Sequence, residues 1–175
     1  LFFVSSALES MERATAGCCE KCSFHIITGS FGKAWATYAA QLNKTVLTHV
    51  AKEGEGVDLD RLHVPKNAEL VCITQNDTST GVFQPMEGII NLKKKYPEKL
   101  IAVDVVSSIP YIKVDYKYID IAFFSVQKGF GLPAGMGILI VSPKALQKAN
   151  LLVKKGISIG SYHSLLNLSE KALNL

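Results

Sequence analysis

The sequence predicts an α/β fold, a mostly parallel sheet with helices on both faces. Short apolar runs such as Leu70–Thr74 and residues 100–103 show no in–out alternation, so both faces of each strand are expected to be covered. Helical periodicity fills several stretches between these runs, as in a sheet with helices packed outside it. With 48% hydrophobic and 19% charged residues, a chain of 175 residues can bury a core, and one globular domain is expected.

The elements follow in order. Leu1-Phe2-Phe3-Val4 reads as the inside of a buried strand, and with no initiating Met the sequence is expected to be a piece of a longer protein. Residues 5–21 predict a helix capped by Ser5 or Ser6, with acidic residues in its first half. Residues 24–28 predict a strand, Gly29-Ser30-Phe31-Gly32 a turn, residues 33–43 a helix and residues 45–51 a strand. Residues 52–67 are mostly polar and read as a connection with room for a short helix. Leu70–Thr74 is a buried strand, residues 75–83 its loop, and residues 84–96 a helix. Residues 100–103 form a strand ending at Asp104, followed by strands at residues 119–125 and Gly137–Val141. Residues 127–136 are too few for a helical crossover, which predicts one antiparallel strand.

Net charge is +4, and the lysines are scattered apart from Lys93 to Lys95, so no basic patch suggests nucleic-acid binding. No apolar run approaches the roughly 18 residues that cross a bilayer, and the opening residues lack the features of a signal peptide. Four cysteines stand at Cys18, Cys19, Cys22 and Cys72. Leu8, Met11, Thr15, Cys18 and Cys22 share a helical spacing, so the thiols read as small core residues rather than zinc ligands, in a reduced cytoplasmic setting.

Ligands of open α/β sheets gather outside the carboxyl ends of the strands. Three polar clusters stand there: Asn76-Asp77-Thr78-Ser79-Thr80-Gly81, Asp104-Val105-Val106-Ser107-Ser108 and Ser125-Val126-Gln127-Lys128-Gly129. A lysine after a buried strand is expected to be desolvated, which frees its neutral amine for a Schiff base. Lys128 alone could equally reach solvent, and Asp104 alone could cap a turn. Together they suit pyridoxal phosphate (PLP), which needs a lysine for its aldehyde and an acid for its pyridine nitrogen.

The three clusters in this order, extended through Phe130-Gly131-Leu132-Pro133-Ala134-Gly135, resemble the successive signatures of class V aminotransferases, closest to the phosphoserine aminotransferase branch. The resemblance runs from about Phe3 to Ser164. It implies the large domain of a fold-type-I PLP-dependent transferase over residues 1–175, with the family's N-terminal segment and C-terminal small domain outside it. The implied activity is transamination between phosphoserine and 2-oxoglutarate in a homodimer with shared sites.

The resemblance also implies roles. Lys128 would hold the cofactor aldehyde and later move the proton, with Asp104 on the pyridinium nitrogen and Thr78 near the phenolic oxygen. Gln127 and the backbone N–H groups of Ser6 and Ala7 would take the phosphate; the helix start is independently an anion site. Phe31 would stack on the ring or serve as a core residue, and Ser107 would assist the ring or cap a turn. His163 and Ser164, in Gly160-Ser161-Tyr162-His163-Ser164, would reach the neighbouring subunit's phosphate.

There are departures. Leu8 stands where many relatives have Gly or Thr, and Asp77 where Glu is commoner. The family's carboxylate-binding arginine has no counterpart, since Arg13 and Arg61 are the only arginines. Competing readings are a nucleotide-binding domain, which fails because the Gly129–Gly135 loop leads into a strand rather than a helix; a non-catalytic PLP-binding module; and another class V reaction, such as alanine– or serine–glyoxylate exchange or a desulfurase-like step.

Overall fold

A computed structural model describes residues 1–173. The seven strands of its main sheet are β1 (Phe2–Val4), β2 (Cys22–Ile27), β3 (Thr45–Val50), β4 (Leu70–Thr74), β7 (Leu100–Asp104), β8 (Ile121–Ser125) and β9 (Gly137–Val141). They lie in the order β1-β9-β8-β7-β4-β2-β3. Strands β8, β7, β4, β2 and β3 run parallel. Strand β9 is antiparallel to both neighbours, as the short connection after β8 requires. A two-stranded hairpin, β5 (Asn76–Asp77) and β6 (Val82–Phe83), stands in the loop after β4.

Alternate residues of each central strand feed two cores. Leu70, Cys72, Leu100, Ala102, Ile121 and Phe123 face one side, where they pack with α1 (Ala7–Cys18), Trp35 of α2 (Ser30–Gln41), α4 (Pro143–Lys154) and α5 (Leu165–Leu173). Val71, Ile73, Ile101, Val103, Ala122 and Phe124 face the other, covered by α3 (Met86–Lys95) and by Leu59, Leu62 and Val64 of the connection. The chain winds outward from β2 to β3 and in the opposite direction from β4 through β7 to β8. Right-handed crossovers therefore put α2 and α3 on opposite faces.

Several expectations are corrected. Gly29-Ser30-Phe31-Gly32 is not a free turn: Gly29 is the N-cap of α2 and the next three residues are its first turn. The connection at residues 52–67 holds no helix; the Gln84 side chain pins it by accepting from Val57 N–H at 2.9 Å and donating to Val57 O at 3.0 Å. That use of Gln84, followed by Pro85, delays α3 to Met86. Leu8 is half-exposed and Cys22 belongs to β2, so the helical face they were expected to share with Met11, Thr15 and Cys18 is shorter. The other two thiols, Cys19 and Cys72, are also buried, and all four are free.

At the amino ends of the strands, Asp120 ties three elements together. Its carboxylate accepts from Lys93 Nζ at 2.7 Å, Ile101 N–H at 2.9 Å and the Ser142 hydroxyl at 3.3 Å. Among the described residues, no helix is long and apolar enough to cross a membrane.

Candidate active site

The carboxyl ends of β4, β7 and β8, together with the starts of α1 and α2, enclose a cavity of about 280 Å³. Ser6, Ala7, Phe31, Thr78, Asp104, Ser107, Gln127 and Lys128 all line it. These side chains come from five separate stretches of sequence, and the sheet brings them to one rim.

Asp104 ends β7 on the face that carries Ala102 and Leu100. Its side chain is buried at the cavity wall, and one carboxylate oxygen accepts from Val106 N–H at 2.9 Å. Burial pushes its carboxyl up to about 7; the Val106 hydrogen bond opposes this, and the negative charge of Asp77 adds to it. Among the described residues no cation pairs with Asp104. Thr74, its cross-strand neighbour on β4, has a buried hydroxyl without a partner.

Lys128 corrects the expected desolvation. It follows β8 at the cavity mouth and is exposed rather than buried. What distinguishes it is place: Gly129 lies so tight against the loop after β7 that an added Cβ would stand 2.5 Å from Ile109 O and 2.6 Å from Pro110 Cδ. That contact holds the Lys128 backbone against the Asp104 loop.

The start of α1 is positioned by β9. A Cβ on Gly137 would stand 2.8 Å from the Ser6 carbonyl carbon, so glycine is what lets the strand approach the helix start. Ser6 is the N-cap, its hydroxyl accepting from Glu9 N–H at 3.2 Å. The Ala7 N–H was expected to face an anion; it is instead donated to Ser125 Oγ at 2.8 Å. Ser10 N–H bonds Ser6 O. This leaves the Leu8 N–H as the amide of the first turn without a partner among the described residues, and Leu8 lines the cavity. Burial pushes the Glu9 carboxyl up, but hydrogen bonds from the Ser5 hydroxyl and N–H, both 2.7 Å, together with the contact to His163, outweigh it and leave the group below its ordinary value.

Phe31 lines the opposite wall and is partly exposed, so it is not an ordinary core residue. Ser107 donates its hydroxyl to Asn76 O at 2.8 Å, and Asn76 Nδ2 donates back to Ser107 O at 3.3 Å, so its hydroxyl clasps the two loops. Gln127 and Thr78 are exposed at the mouth.

His163 and Ser164 do not line the cavity of their own chain. The His163 Nδ1 pairs with Glu9 Oε1, and Ser164 is buried, its hydroxyl accepting from Asn167 N–H at the start of α5. Ser164 is thus turned into its own chain rather than outward. Neither arginine reaches the cavity: Arg13 pairs with Glu12, and exposed Arg61 pairs with Asp58.

Sequence reasoning put Asn76, Val106 and Ser125 in the polar clusters of the rim but gave them no role, and it missed Met11 in the wall. Strand alternation could have found Ser125, since it shares a face with Ile121 and Phe123. Asn76 and Val106 depend on how separate loops meet, and Met11 on how α1 lies against the sheet.

These residues fit PLP. A buried carboxyl without a cation matches a ring nitrogen that carries a proton, and the unpartnered Thr74 hydroxyl lies beside it. An amine at the mouth matches the aldehyde. The Leu8 N–H, the Ser125 hydroxyl and Gln127 form a donor set for a phosphate.

The family model for class-V aminotransferases matches residues 25–164. The chain is similar to the crystal structure of a phosphoserine aminotransferase from Cytophaga hutchinsonii: TM-score 0.95 and 43% identity, over 98% of this chain and 48% of that one. It is 33% identical to the soluble hydrogenase 42 kDa subunit of Anabaena cylindrica, over 77% of this chain and 38% of that protein. To the serine–glyoxylate aminotransferase of Arabidopsis thaliana it is 32% identical, over 69% of this chain and 32% of that protein. The chain therefore spans less than half the length of each of these relatives.

Proposed function

Because this chain belongs to the class-V aminotransferase family, we propose that it is the cofactor-binding large domain of a PLP-dependent aminotransferase, acting between phosphoserine and 2-oxoglutarate in a cytoplasmic homodimer. The observation that carries the reading is the cavity itself, with the buried, cation-free Asp104 in its wall and Lys128 at its mouth. The choice of phosphoserine rests on the likeness to the Cytophaga hutchinsonii enzyme.

Bound PLP supplies a conjugated ring that accepts the electron pair left when a bond at the substrate α-carbon breaks. Lys128 would hold the cofactor aldehyde through Nζ and would serve as the proton-moving base at the same nitrogen. Asp104 would accept the ring N–H; a carboxyl raised to about 7 would ionise with a cation set against it and so favour a protonated ring. Thr78 would donate to the phenolic oxygen, and Phe31 would form a wall against the ring face. Ser107 holds the two loops together. The phosphate is taken by the Leu8 N–H, with Ser6 and Ala7 setting the helix start, and by the Ser125 hydroxyl and Gln127.

The dimer is supported by large side chains left in solvent, among them Tyr111, Phe130, Leu132 and Tyr162. In that dimer His163 would exchange Glu9 for the neighbouring subunit's phosphate, and Ser164 would support it. Four free buried thiols suit a reducing compartment.

The test is a titration with PLP followed by amino donors. The protein is expected to take up one equivalent and develop the visible absorption of lysine-bound cofactor, with Lys128→Ala losing that band. O-phosphoserine with 2-oxoglutarate should then give glutamate if the protein carries a substrate-binding group for both acids. Preference for serine and glyoxylate would replace the substrate assignment by the reaction in the Arabidopsis thaliana relative's name. No uptake at all would contradict the cofactor reading.

A further inference from the structure

We propose that Asp77 is a positioning residue for the cofactor site: its buried carboxylate pins the start of α2 to the loop after β4 and so fixes Phe31 and Thr78 relative to each other. The inference rests on the PLP reading above.

Asp77 ends β5 and is fully buried. Its Oδ2 accepts from Phe31 N–H at 3.1 Å and Gly32 N–H at 3.2 Å. Its Oδ1 accepts from Ser79 N–H at 3.2 Å and from the Ser79 hydroxyl at 2.7 Å. The Ser79 oxygen in turn accepts from Ser30 N–H at 2.7 Å. Both carboxylate oxygens act only as acceptors, which is the ionised form. Among the described residues no lysine or arginine pairs with it. The compensating positive charge comes from the N-terminal amides of α2.

The contact is tight enough to dictate sequence elsewhere. A Cβ on Gly29 would stand 2.4 Å from Asp77 Cγ and 2.5 Å from Ser79 Oγ. Gly29 has φ −178, a conformation any residue can adopt, so space rather than backbone freedom demands glycine there. The same loop is clasped to the end of β2 by the Thr80 hydroxyl, which donates to Thr28 O at 2.8 Å.

The consequence reaches the cavity by two routes. Phe31, whose amide bonds the carboxylate, puts its side chain in the cavity wall; Thr78, the next residue after Asp77, puts its own there too. One carboxylate thus sets both the wall for a ring face and the donor for the ring's oxygen. A ring held between misplaced walls binds less tightly and in a different orientation. Asp77 also acts through space, since its charge helps to raise the carboxyl of Asp104.

The experiment compares the unaltered protein with Asp77→Asn and Ser79→Ala in PLP titrations, visible circular dichroism of the bound cofactor, and thermal unfolding. An amide in place of the carboxylate must turn an NH2 group toward one pair of donors. Asp77→Asn is expected to weaken PLP roughly tenfold or more, to change the sign or size of the cofactor's dichroic band, and to move the pH dependence of binding downward. Ser79→Ala keeps the carboxylate and removes one donor, and should weaken PLP by a smaller factor. If Asp77→Asn does not fold, Ser79→Ala decides: unchanged affinity and dichroism overturn the proposal. Variants that only melt earlier, with cofactor affinity, dichroism and pH profile intact, would make Asp77 a helix cap and nothing more. An unaltered protein that takes up no PLP overturns the parent reading and this one together.

Discussion

Asp104 and His25 are buried titratable groups whose charged forms are disfavoured by burial, and they respond to pH in opposite directions. The folded Asp104 carboxyl sits at about 7 against an ordinary 3.8, because burial disfavours its charge. The folded state therefore holds this proton more tightly than the unfolded chain. The stability it contributes is complete below about pH 4 and is lost as pH rises toward 7. Asp104→Asn should raise the stability of cofactor-free protein at pH 8 by on the order of 1–4 kcal/mol, an advantage that vanishes below pH 4 in urea titrations. With PLP bound, the ring cation removes the penalty and the variant should bind more weakly. His25, edge-on to Trp35 and hydrogen-bonded to Ser23, is pushed down to about 4 by burial. Its stability is full above about 6.5 and is lost as pH falls toward 4. His25→Gln should flatten that acid-side loss. The place of Lys128 and Asp104 on the rim of the cavity was legible in sequence because Asp104 ends one apolar run and Lys128 stands just past another. The exposure of Lys128 was not, since a residue just past a strand can face either the core or the opening.

At the scale of elements, the cavity depends on two helix starts and the glycines beside them. Gly137 lets β9 approach the Ser6 backbone, and no flexible side chain is available there to give way. Gly137→Ala should displace the start of α1, destabilise the fold by about 1–3 kcal/mol, and weaken PLP through the Leu8 amide, read by unfolding and by cofactor titration. The start of α2 was misread as a turn because its cap is supplied by Asp77, 45 to 46 residues away in the chain. Local sequence contains no trace of such a cap. Helix α4 is a different case: Ser142 as cap, Pro143 in the first turn and Gly156 past the end at φ +76 are all local signals, and they went unused. Strands β4 and β9 were read to the residue, since each is an apolar run bounded by polar or glycine residues.

For the whole molecule, the two ends of the sheet divide the work. Lys93 and Asp120 form a nearly buried ion pair at the amino ends, with 12% and 6% of their side chains exposed. Lys93→Met would strand a buried carboxylate and should cost about 3–5 kcal/mol, while folded protein keeps its PLP affinity. Asp104→Asn should do the reverse, since it lies at the carboxyl ends. Order along the sheet, and hence which loops meet, was not legible in any single stretch of sequence. The direct test of the account is borohydride reduction of the PLP-loaded protein followed by peptide mapping. It should place one phosphopyridoxyl group per chain on Lys128, and label spread over several lysines, or fixed on another one, would contradict it.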